Sequence, residues 1–165
     1  MADDERAGDE GAAVVDREAA RVLLLDGRGR VLLFLGRDPA RPDDGTWWFT
    51  PGGGAEDGED PGQTARRELW EETGLRVDAL EGPVAERTTE FGFDGVTYRQ
   101  HEHYFVARLG DAEVVTAPAA YTELEERAVL GSRWWGEAEL RTTDDVVHPG
   151  WLGAWLSAET LGRAG

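Results

Sequence analysis

Two apolar runs near the start of the chain predict adjacent β-strands. Residues 19–26 read AARVLLLD and residues 31–35 read VLLFL, and the turn signal DGRG occupies residues 26–29 between them. Such a pattern is typical of a β-hairpin. Apolar residues fill successive positions of both runs rather than alternate ones, so we expect a sheet that is covered on both faces.

Shorter patterns predict the remaining strands and loops. The predicted strands lie at 47–50, 76–80, 84–93, 96–109 and 133–135. The two longest of these form a hairpin around the Asp94-Gly95 turn, because Asp-Gly favours a two-residue hairpin connection. Residues 38–46 and 51–54 are rich in Pro, Gly and Asp and are predicted to be loops.

The clearest predicted helix lies between these strands and has a signal at each end. Asp60 can act as the N-cap, and Pro61 then occupies the first helical position, where its missing N–H costs nothing. Gly74 fits the left-handed residue that follows a last helical turn. Ala65 and Leu69 form an apolar stripe that would pack the helix onto the sheet.

Three other helical patterns complete the prediction of the fold. Shorter ones fall at residues 121–128 and 137–140, and residues 150–162 form an amphipathic helix at the C-terminal end. In that helix the apolar side chains of Trp151, Trp155 and Leu156 should point inward. Helices on both faces of a mixed sheet give the α/β class, with an α/β/α sandwich architecture.

Composition bounds the size and surroundings of this domain. The chain has 165 residues, enough for one domain with a sizeable core, which we assign to residues 14–165. Residues 1–13 are acidic and rich in Gly and Ala, so we expect a disordered tail. The chain has no cysteine, no apolar run long enough to span a membrane and no secretory leader, so we expect no membrane association and a cytoplasmic location.

The net charge narrows the choice of partner. A formal charge of −17 argues against a nucleic acid polymer, because binding to a phosphate backbone needs a basic surface. A small phosphorylated substrate is still compatible, since bound metal ions can supply a local positive field.

Candidate chemistry is concentrated on the predicted helix that follows Asp60. Glu68, Glu71 and Glu72 are spaced i, i+3 and i+4, which places them on one helix face. Their carboxylates repel one another unless hard cations lie between them, and oxygen ligands suit Mg²⁺ or Mn²⁺. The glycines of residues 52–54 let a ligand approach the backbone closely just before the helix. The pattern therefore predicts a divalent-metal site.

The spacing of these residues resembles that of a known family. Residues 53–75 read GGAEDGEDPGQTARRELWEETGL, which is similar to the complete signature of the Nudix (MutT-like) hydrolases. Outside residues 47–75 the resemblance is one of layout only. It implies a Nudix α/β/α sandwich and Mg²⁺-dependent hydrolysis of a diphosphate linked to another group, usually a nucleoside diphosphate derivative. Mn²⁺ is the alternative ion.

The resemblance also implies roles for individual residues of the signature. Glu68, Glu71 and Glu72 would be metal ligands, and the Gly53 carbonyl would add another oxygen. Glu68 is alternatively the general base, because families with this signature differ in which glutamate deprotonates the water. Arg67 resembles the residue that orients the catalytic glutamate through a charge-assisted hydrogen bond.

Further carboxylates are predicted to support the signature. Glu59 matches a family glutamate that supports the metal site by positioning neighbouring residues without binding the metal directly. Another carboxylate often comes from a loop just before a late strand, and residues 121–126 fit that place. We favour Glu125 over Glu126, with Glu102 as a rival from the strand before it.

Substrate-binding residues are predicted from chemistry outside the signature. Either Trp47 or Trp48 should line the cleft, where an indole can stack on a nucleobase, and we assign Trp48 to substrate binding. Arg37 and Arg99 are candidates for phosphate contacts, because guanidinium groups match phosphate oxygens. His101 and His103 share one strand face, but the sequence offers no third ligand beside them, so a histidine metal site is not predicted.

Several functional alternatives stay open at the level of sequence. Tags for particular Nudix substrates are absent, so nucleoside triphosphates, modified nucleotides, sugar nucleotides and ADP-ribose are all candidates. A catalytically silent Nudix module that senses or binds a nucleotide is the main alternative to hydrolysis. An isomerase or a decapping enzyme is a weaker one. Related enzymes are commonly dimers, which makes a homodimer an expectation here.

Overall fold

The computed structural model describes residues 13–110 and 116–163. The predicted disordered tail lies outside these residues except for Ala13. The strands are β1 (Val14–Leu25), β2 (Val31–Gly36), β3 (Trp47–Phe49), β4 (Gly52–Gly54), β5 (Glu81–Phe93), β6 (Val96–Arg108), β7 (Val129–Trp135) and β8 (Val147–His148). The helices are α1 (Pro61–Thr73), α2 (Glu123–Ala128), α3 (Glu137–Thr142) and α4 (Leu152–Arg163), with a 3₁₀ turn at Pro42–Asp44.

Strand β1 is the central organiser of the sheet. The strand order is β5-β6-β1-β2-β3-β8, and β4 and β7 join this path through β1 and β2. The strand runs parallel to β6 along its whole length, from Val14 opposite Thr97 to Leu25 opposite Arg108. On its other edge it pairs antiparallel with both β2 and β4. Residues of β1 are thereby placed beside the glycine segment and beside the β5–β6 hairpin at once.

Alternation along β1 and its neighbours separates two apolar cores. On one face, Ala20, Val22 and Leu24 pack with Ala65 and Leu69 of α1. On the other face, residues of β1, β2 and β6 pack with α4; the buried members of that core are Leu23, Leu25, Val31, Leu33, Tyr104, Val106, Trp135, Leu152 and Leu156. The sheet is covered on both faces, which confirms the predicted α/β/α sandwich.

Both ends of α1 have the predicted caps. The Asp60 carboxylate accepts a hydrogen bond of 2.8 Å from the backbone N–H of Gln63, and the Gln63 side chain accepts one of 2.9 Å from the N–H of Asp60. Gly74 has φ of 73°, a left-handed conformation that glycine adopts without strain. These local signals fix where the helix begins and ends, and therefore which way its glutamates face.

Two of the predicted elements are wrong. Residues 76–80 form no strand; Val77 and Leu80 instead pack against the core beneath α1 from an irregular segment. Residues 52–54, predicted as loop, form strand β4 on the edge of β1. Glycine can pair this closely with β1 because it has no side chain: a Cβ added to Gly52 would lie 2.2 Å from the carbonyl oxygen of Ala20.

The other predicted elements are confirmed with shifted boundaries. Strand β1 begins at Val14 rather than near residue 19, because pairing with β6 extends through residues 14–18, which are mostly exposed and precede the apolar run. The β5–β6 hairpin turns at Asp94 and Gly95 as predicted. In the C-terminal helix region Leu156 is buried. Within residues 13–110 and 116–163, no helix has the length and apolarity to cross a membrane.

Candidate functional site

Glu72 is the buried carboxylate at the end of α1. Its residue is 4% exposed, and its Oε1 accepts a hydrogen bond of 3.0 Å from the backbone N–H of Gly52. Burial raises the pKa of Glu72 well above its usual value, and the nearby Glu68 carboxylate raises it further. The charge of Arg21 and the hydrogen bond from Gly52 act in the opposite direction but do not offset the cost of burial.

Glu68 lies one helical turn before Glu72 and directly over the glycine strand. A Cβ added to Gly53 would lie 2.6 Å from Oε1 of Glu68, so any larger residue would displace this carboxylate from its position. Burial raises the pKa of Glu68, and repulsion from Glu71 acts in the same direction. Arg67 opposes both effects through a hydrogen bond of 3.0 Å to Oε1.

Arg67 joins the carboxylates of the signature to the glycine strand. Its Nε and Nη2 atoms donate hydrogen bonds of 2.8 and 2.9 Å to the two oxygens of Glu59. Nη1 donates to Glu68 and, at 3.2 Å, to Glu71, while Nη2 also donates to the Gly54 carbonyl at 3.0 Å. A planar guanidinium can satisfy all of these acceptors, whereas a lysine ammonium has no such fork.

Glu59 serves as the anchor for Arg67. The hydrogen bonds from Arg67 lower the pKa of Glu59 to about 2, with further help from the backbone N–H of Glu56 and the hydroxyl of Thr64. In return, the Glu59 carboxylate raises the pKa of Arg67. This pair holds the arginine in place, and the arginine in turn orients Glu68 and Glu71.

Helix α2 brings a further carboxylate to the same place. One oxygen each from Glu68, Glu72 and Glu125 lies within 4.8 Å of the other two. Glu125 is held by a capping box, in which its Oε1 accepts a hydrogen bond of 3.2 Å from the N–H of Thr122. Glu126, its neighbour, is exposed and does not join this cluster. Glu125 therefore sits where the sequence analysis expected a late carboxylate.

The donor set of this carboxylate cluster fits a hard divalent cation. Glu68, Glu72 and Glu125 present only oxygen atoms, and Mg²⁺ prefers oxygen ligands. Burial and mutual repulsion of the two helix carboxylates leave negative charge that a cation would neutralise. Glu71, the third predicted ligand on α1, does not belong to this group of oxygen atoms; its carboxylate accepts a hydrogen bond of 3.2 Å from Arg67.

A buried ion-pair network supports the glycine strand from the sheet side. Glu102 is 1% exposed, and it accepts hydrogen bonds from Arg21 at 2.8 Å and from Arg87 at 2.6 Å. Burial disfavours the charged Glu102 carboxylate, but Arg21 and Arg87 together outweigh this and lower its pKa. Arg21 also donates to the carbonyls of Thr50 and Gly52, at 3.3 and 3.1 Å. Glu102, the rival candidate, is thus engaged in this network and lies outside the carboxylate cluster.

Arg17, like Arg21, is a cationic residue near the glycine strand that was not predicted from the sequence. Its guanidinium lies 4.4 Å from the centre of the Tyr98 ring and donates a hydrogen bond of 2.7 Å to Gln100. A Cβ added to Gly54 would come within 2.9 Å of its Cδ. Burial lowers the pKa of Arg17, and the charge of Arg21 adds to that. Arg17 and Arg21 are four residues apart in β1 and therefore share one face of the strand. This spacing is the sequence signal that could have revealed both arginines.

The three predicted substrate-binding residues lie in different surroundings. Trp48 packs edge-on against Trp135 at 5.1 Å, and its Nε1 donates to Asp145 at 3.1 Å. Neither Trp47 nor Trp48 is fully buried. The two predicted arginines lie apart from each other. The backbone N–H of Arg37 donates a hydrogen bond to the carbonyl of Ala128 at the end of α2. Arg99 forms ion pairs with Asp16 and Glu90 on the sheet.

A small cavity opens beside Glu72. It has a volume of about 180 Å³ and lies between α1, β7 and the segment that leads to α2. Tyr121 lines it, and burial raises the pKa of that phenol to about 12, helped by the charges of Glu72 and Glu125. Pockets that enclose whole drug-sized ligands measure roughly 300–1,000 Å³, so this cavity is too small to enclose such a ligand completely.

Comparison with known proteins agrees with the geometry. The family model described as NUDIX domain matches residues 15–154. An RNA pyrophosphohydrolase of Dinoroseobacter shibae is 44% identical over 73 residues, which cover 44% of this chain and 43% of that protein. A MutT-like protein of Streptomyces ambofaciens is 31% identical over 116 residues, covering 70% of this chain and 66% of that protein.

A solved structure shows the same architecture. The crystal structure of a NUDIX family hydrolase from Clostridium perfringens superposes with a TM-score of 0.65 and 15% identity, covering 90% of this chain and 98% of that one. The match to the RNA pyrophosphohydrolase is shorter, since it spans less than half the length of that relative. The matching family model, the filled signature and the shared fold lead to one conclusion: this chain belongs to the Nudix family.

Proposed function

We propose that this protein is a metal-dependent pyrophosphohydrolase that cleaves the diphosphate linkage of a nucleoside diphosphate derivative. The observation that carries this proposal is the convergence of Glu68, Glu72 and Glu125 within 4.8 Å beside the glycine strand. Burial raises the pKa of Glu68 and Glu72, and buried carboxylates with raised pKa values that lie together beside a cleft are typical of functional sites.

Mg²⁺ is the proposed cofactor, with Mn²⁺ as a substitute. Glu68, Glu71 and Glu72 would hold it, together with the Gly53 carbonyl. When bound, the ion would neutralise phosphate oxygens and make a bound water more acidic. Arg67 prepares this site, because its hydrogen bonds to Glu68 and Glu71 hold both carboxylates in position.

A carboxylate must also take the proton from the attacking water. Glu68 and Glu125 are the two candidates for this general base. Glu68 is held by Arg67, whereas one oxygen of Glu125 is engaged in the capping box of α2 and the other is not part of it. A base must lie within hydrogen-bonding reach of the water, so both positions beside Glu72 are suitable.

Substrate recognition is proposed to involve cations outside the carboxylate cluster. Arg17 lies against Gly54, its charged form is favoured by the charge of Glu68, and it can contact a phosphate that approaches the glycine strand. We retain Trp48, Arg37 and Arg99 as proposed contacts of the substrate. Because relatives are RNA pyrophosphohydrolases, a 5′-triphosphorylated RNA end joins the free nucleotides as a candidate. The charge of −17 favours the free nucleotides.

The experiment is a turnover assay with a matched pair of variants. Wild type would be incubated with Mg²⁺, and separately with Mn²⁺, against nucleoside triphosphates, ADP-ribose, sugar nucleotides and a short 5′-triphosphorylated RNA. Glu71→Gln keeps the backbone carbonyl that accepts from Ala119 and Ala120 but removes a charged ligand. Glu126→Gln removes an exposed charge on α2 as the control.

Each outcome decides between hydrolysis and the alternative. Metal-dependent turnover that survives in Glu126→Gln and is lost in Glu71→Gln supports the hydrolase and identifies the substrate class. Tight binding of a nucleotide without turnover supports a silent nucleotide-binding module instead. Equal turnover by wild type and Glu71→Gln would overturn the assignment of the ligands.

Two further proposals concern the state of the protein rather than its chemistry. We place the activity in the cytoplasm, for which the absence of cysteine from the chain is the support. We also propose a homodimer, as is common among related enzymes. Light scattering of the purified protein measures the mass directly, and a mass of one chain of 18.1 kDa would overturn the dimer.

A further inference from the structure

A second cluster of metal-ligating side chains lies on β1, β5 and β6. His101 and His103 share one face of β6, Glu18 comes from β1 on one side, and Glu86 and Thr88 come from β5 on the other. This is the sheet face that α1 packs against farther along the strands, because residues spaced by two share a face. The cluster supplies the neighbours that sequence alone could not assign to the two histidines.

Hydrogen bonds divide the ring nitrogens of the two histidines into two sets. Nδ1 of His101 lies 2.9 Å from the Thr88 hydroxyl, and Nδ1 of His103 lies 3.1 Å from a Glu86 oxygen. Nε2 of His103 lies 3.0 Å from Glu18, and Nε2 of His101 has a contact of 3.8 Å with Glu86. Strand β5 thus contacts both rings at Nδ1, whereas Nε2 of His103 faces Glu18 on β1 and Nε2 of His101 makes the longer contact.

We propose that Glu18, His101 and His103 bind a divalent transition-metal ion, with Zn²⁺ as the best fit. One ligand atom from each residue lies within 4.8 Å of the other two. Two imidazole nitrogens and a carboxylate oxygen form a ligand set that zinc accepts, with water in the fourth position. Imidazole suits zinc and similar ions, whereas Mg²⁺ prefers oxygen, so this site differs in metal preference from the carboxylate cluster on α1 and α2.

The geometry needs only a modest adjustment. Ligand atoms about 2.0–2.1 Å from a tetrahedral zinc ion lie roughly 3.3 Å apart. Glu18 can close this gap by a change of rotamer, because its side chain is 63% exposed, while that of His103 is 15% exposed and is contacted at both ring nitrogens by Glu18 and Glu86. One side of the site is therefore preorganised and the other is adjustable.

Residues on β5 act as the outer partners of the site. A zinc-bound histidine usually donates its other N–H to a carboxylate or another oxygen, which fixes the ring orientation. Glu86 is placed to accept from His103, and Thr88 is placed to accept from His101. The bound ion would join β1 to β6 and, through these hydrogen bonds, to β5.

The first measurement is a Zn²⁺ titration of ¹⁵N-labelled protein followed through the histidine ring signals. Excess Mg²⁺ would be present throughout, so that the carboxylate cluster is already occupied. The chain has three histidines, and His148 on β8 provides an internal control. We expect the Nε2 signals of His101 and His103 to shift at one Zn²⁺ per chain while those of His148 stay unchanged.

Variants then assign the ligands by affinity, measured by calorimetry with Zn²⁺ alone as the titrant. Glu18→Gln and His101→Asn should each weaken Zn²⁺ binding by more than about tenfold. Glu86→Gln should weaken it by about tenfold, which is the lower end of the loss in metal affinity expected when a residue that hydrogen-bonds to a ligand is changed. Glu90→Gln, which removes an exposed carboxylate from the same hairpin, should bind like wild type. Circular dichroism would show that each variant is folded.

The results separate a metal site from a cluster of polar contacts. Zinc-dependent shifts of His101 and His103 that are lost in Glu18→Gln support the site. Zinc binding that leaves both rings unshifted, or that is equally strong in Glu18→Gln and His101→Asn, overturns it. These readouts do not use turnover, so they stand or fall separately from the proposed hydrolysis.

Discussion

The backbone N–H of Gly52 donates a hydrogen bond of 3.0 Å to the buried carboxylate of Glu72. The carbonyl of the same glycine accepts a hydrogen bond of 3.1 Å from Arg21, which in turn pairs with Glu102 in the sheet. One residue of β4 is therefore tied to the end of α1 on one side and to the sheet on the other. The glycine strand is held in place by both before a ligand binds.

Glu72→Gln tests the cost of this buried charge. The glutamine oxygen can still accept from Gly52, but the negative charge is removed. Without Mg²⁺, we expect the variant to unfold at a temperature equal to or above that of wild type, because burial disfavours the carboxylate. Mg²⁺ should raise the unfolding temperature of wild type only. A variant that Mg²⁺ stabilises as strongly as wild type would show that Glu72 is not a ligand.

Glu125→Gln tests the carboxylate contributed by α2. Glutamine at this position can retain the capping box, since its oxygen can accept from Thr122 as the carboxylate does. We expect a folded protein with unchanged unfolding temperature and turnover reduced by about 100-fold or more, within the range for a lost general base. Glu126→Gln is the matched control. Similar turnover in both variants would remove Glu125 from the site.

Gly53→Ala tests the close approach of the glycine strand to Glu68. The new Cβ would lie 2.6 Å from Oε1 of Glu68, which must then move away from its position beside Arg67. We expect lower turnover and weaker Mg²⁺ binding with a fold that is retained. Gly92→Ala is the control, because a Cβ there meets nothing within 4 Å. Equal Mg²⁺ affinity in both variants would contradict this reading.

The pKa of Glu59 gives a prediction for the dependence of stability on pH. Its folded value of about 2 is below the usual 4.5, so its charge stabilises the protein fully above pH 4.5, and this contribution is lost as the pH falls towards 2. Wild type should therefore be more stable than Glu59→Gln at pH 6, and less than half of that difference should remain near pH 3.

Thermal unfolding at several pH values measures this difference. Glu56→Gln is the control, because its exposed carboxylate makes only a longer contact of 3.7 Å with Arg67. We expect Glu56→Gln to stay close to wild type throughout. A difference between wild type and Glu59→Gln that is constant from pH 6 to pH 3 would show that the Glu59–Arg67 pair is not the cause.

Local signals in the sequence were sufficient for the parts of the site that lie close together in the chain. The caps of α1 and the spacing of its glutamates depend on residues within one helix, so the face that carries Glu68 and Glu72 could be predicted. The position of Glu125 followed from the order of elements. Its contact with the other carboxylates is a tertiary relationship that only the structure displays.

Contacts between distant strands could not be read from the pattern. Arg21 and Glu102 are 81 residues apart, and each looks like an ordinary charged residue of a strand. Their burial depends on the parallel register of β1 and β6, which no turn fixes because the two strands are not consecutive. The same register places Glu18 beside His101 and His103, so this third member of the cluster became visible only with the sheet.

The alternation of β1 has a consequence for how this protein can diverge. Arg17 and Arg21 point to one face of the strand and Glu18 to the other, because successive side chains of a strand alternate. Substitutions on one face can accumulate without altering contacts on the opposite face. Related proteins could thus change Arg17, and with it the proposed contact with the substrate, while they retain the histidine cluster. They could equally lose Glu18 and that cluster while the two arginines are retained.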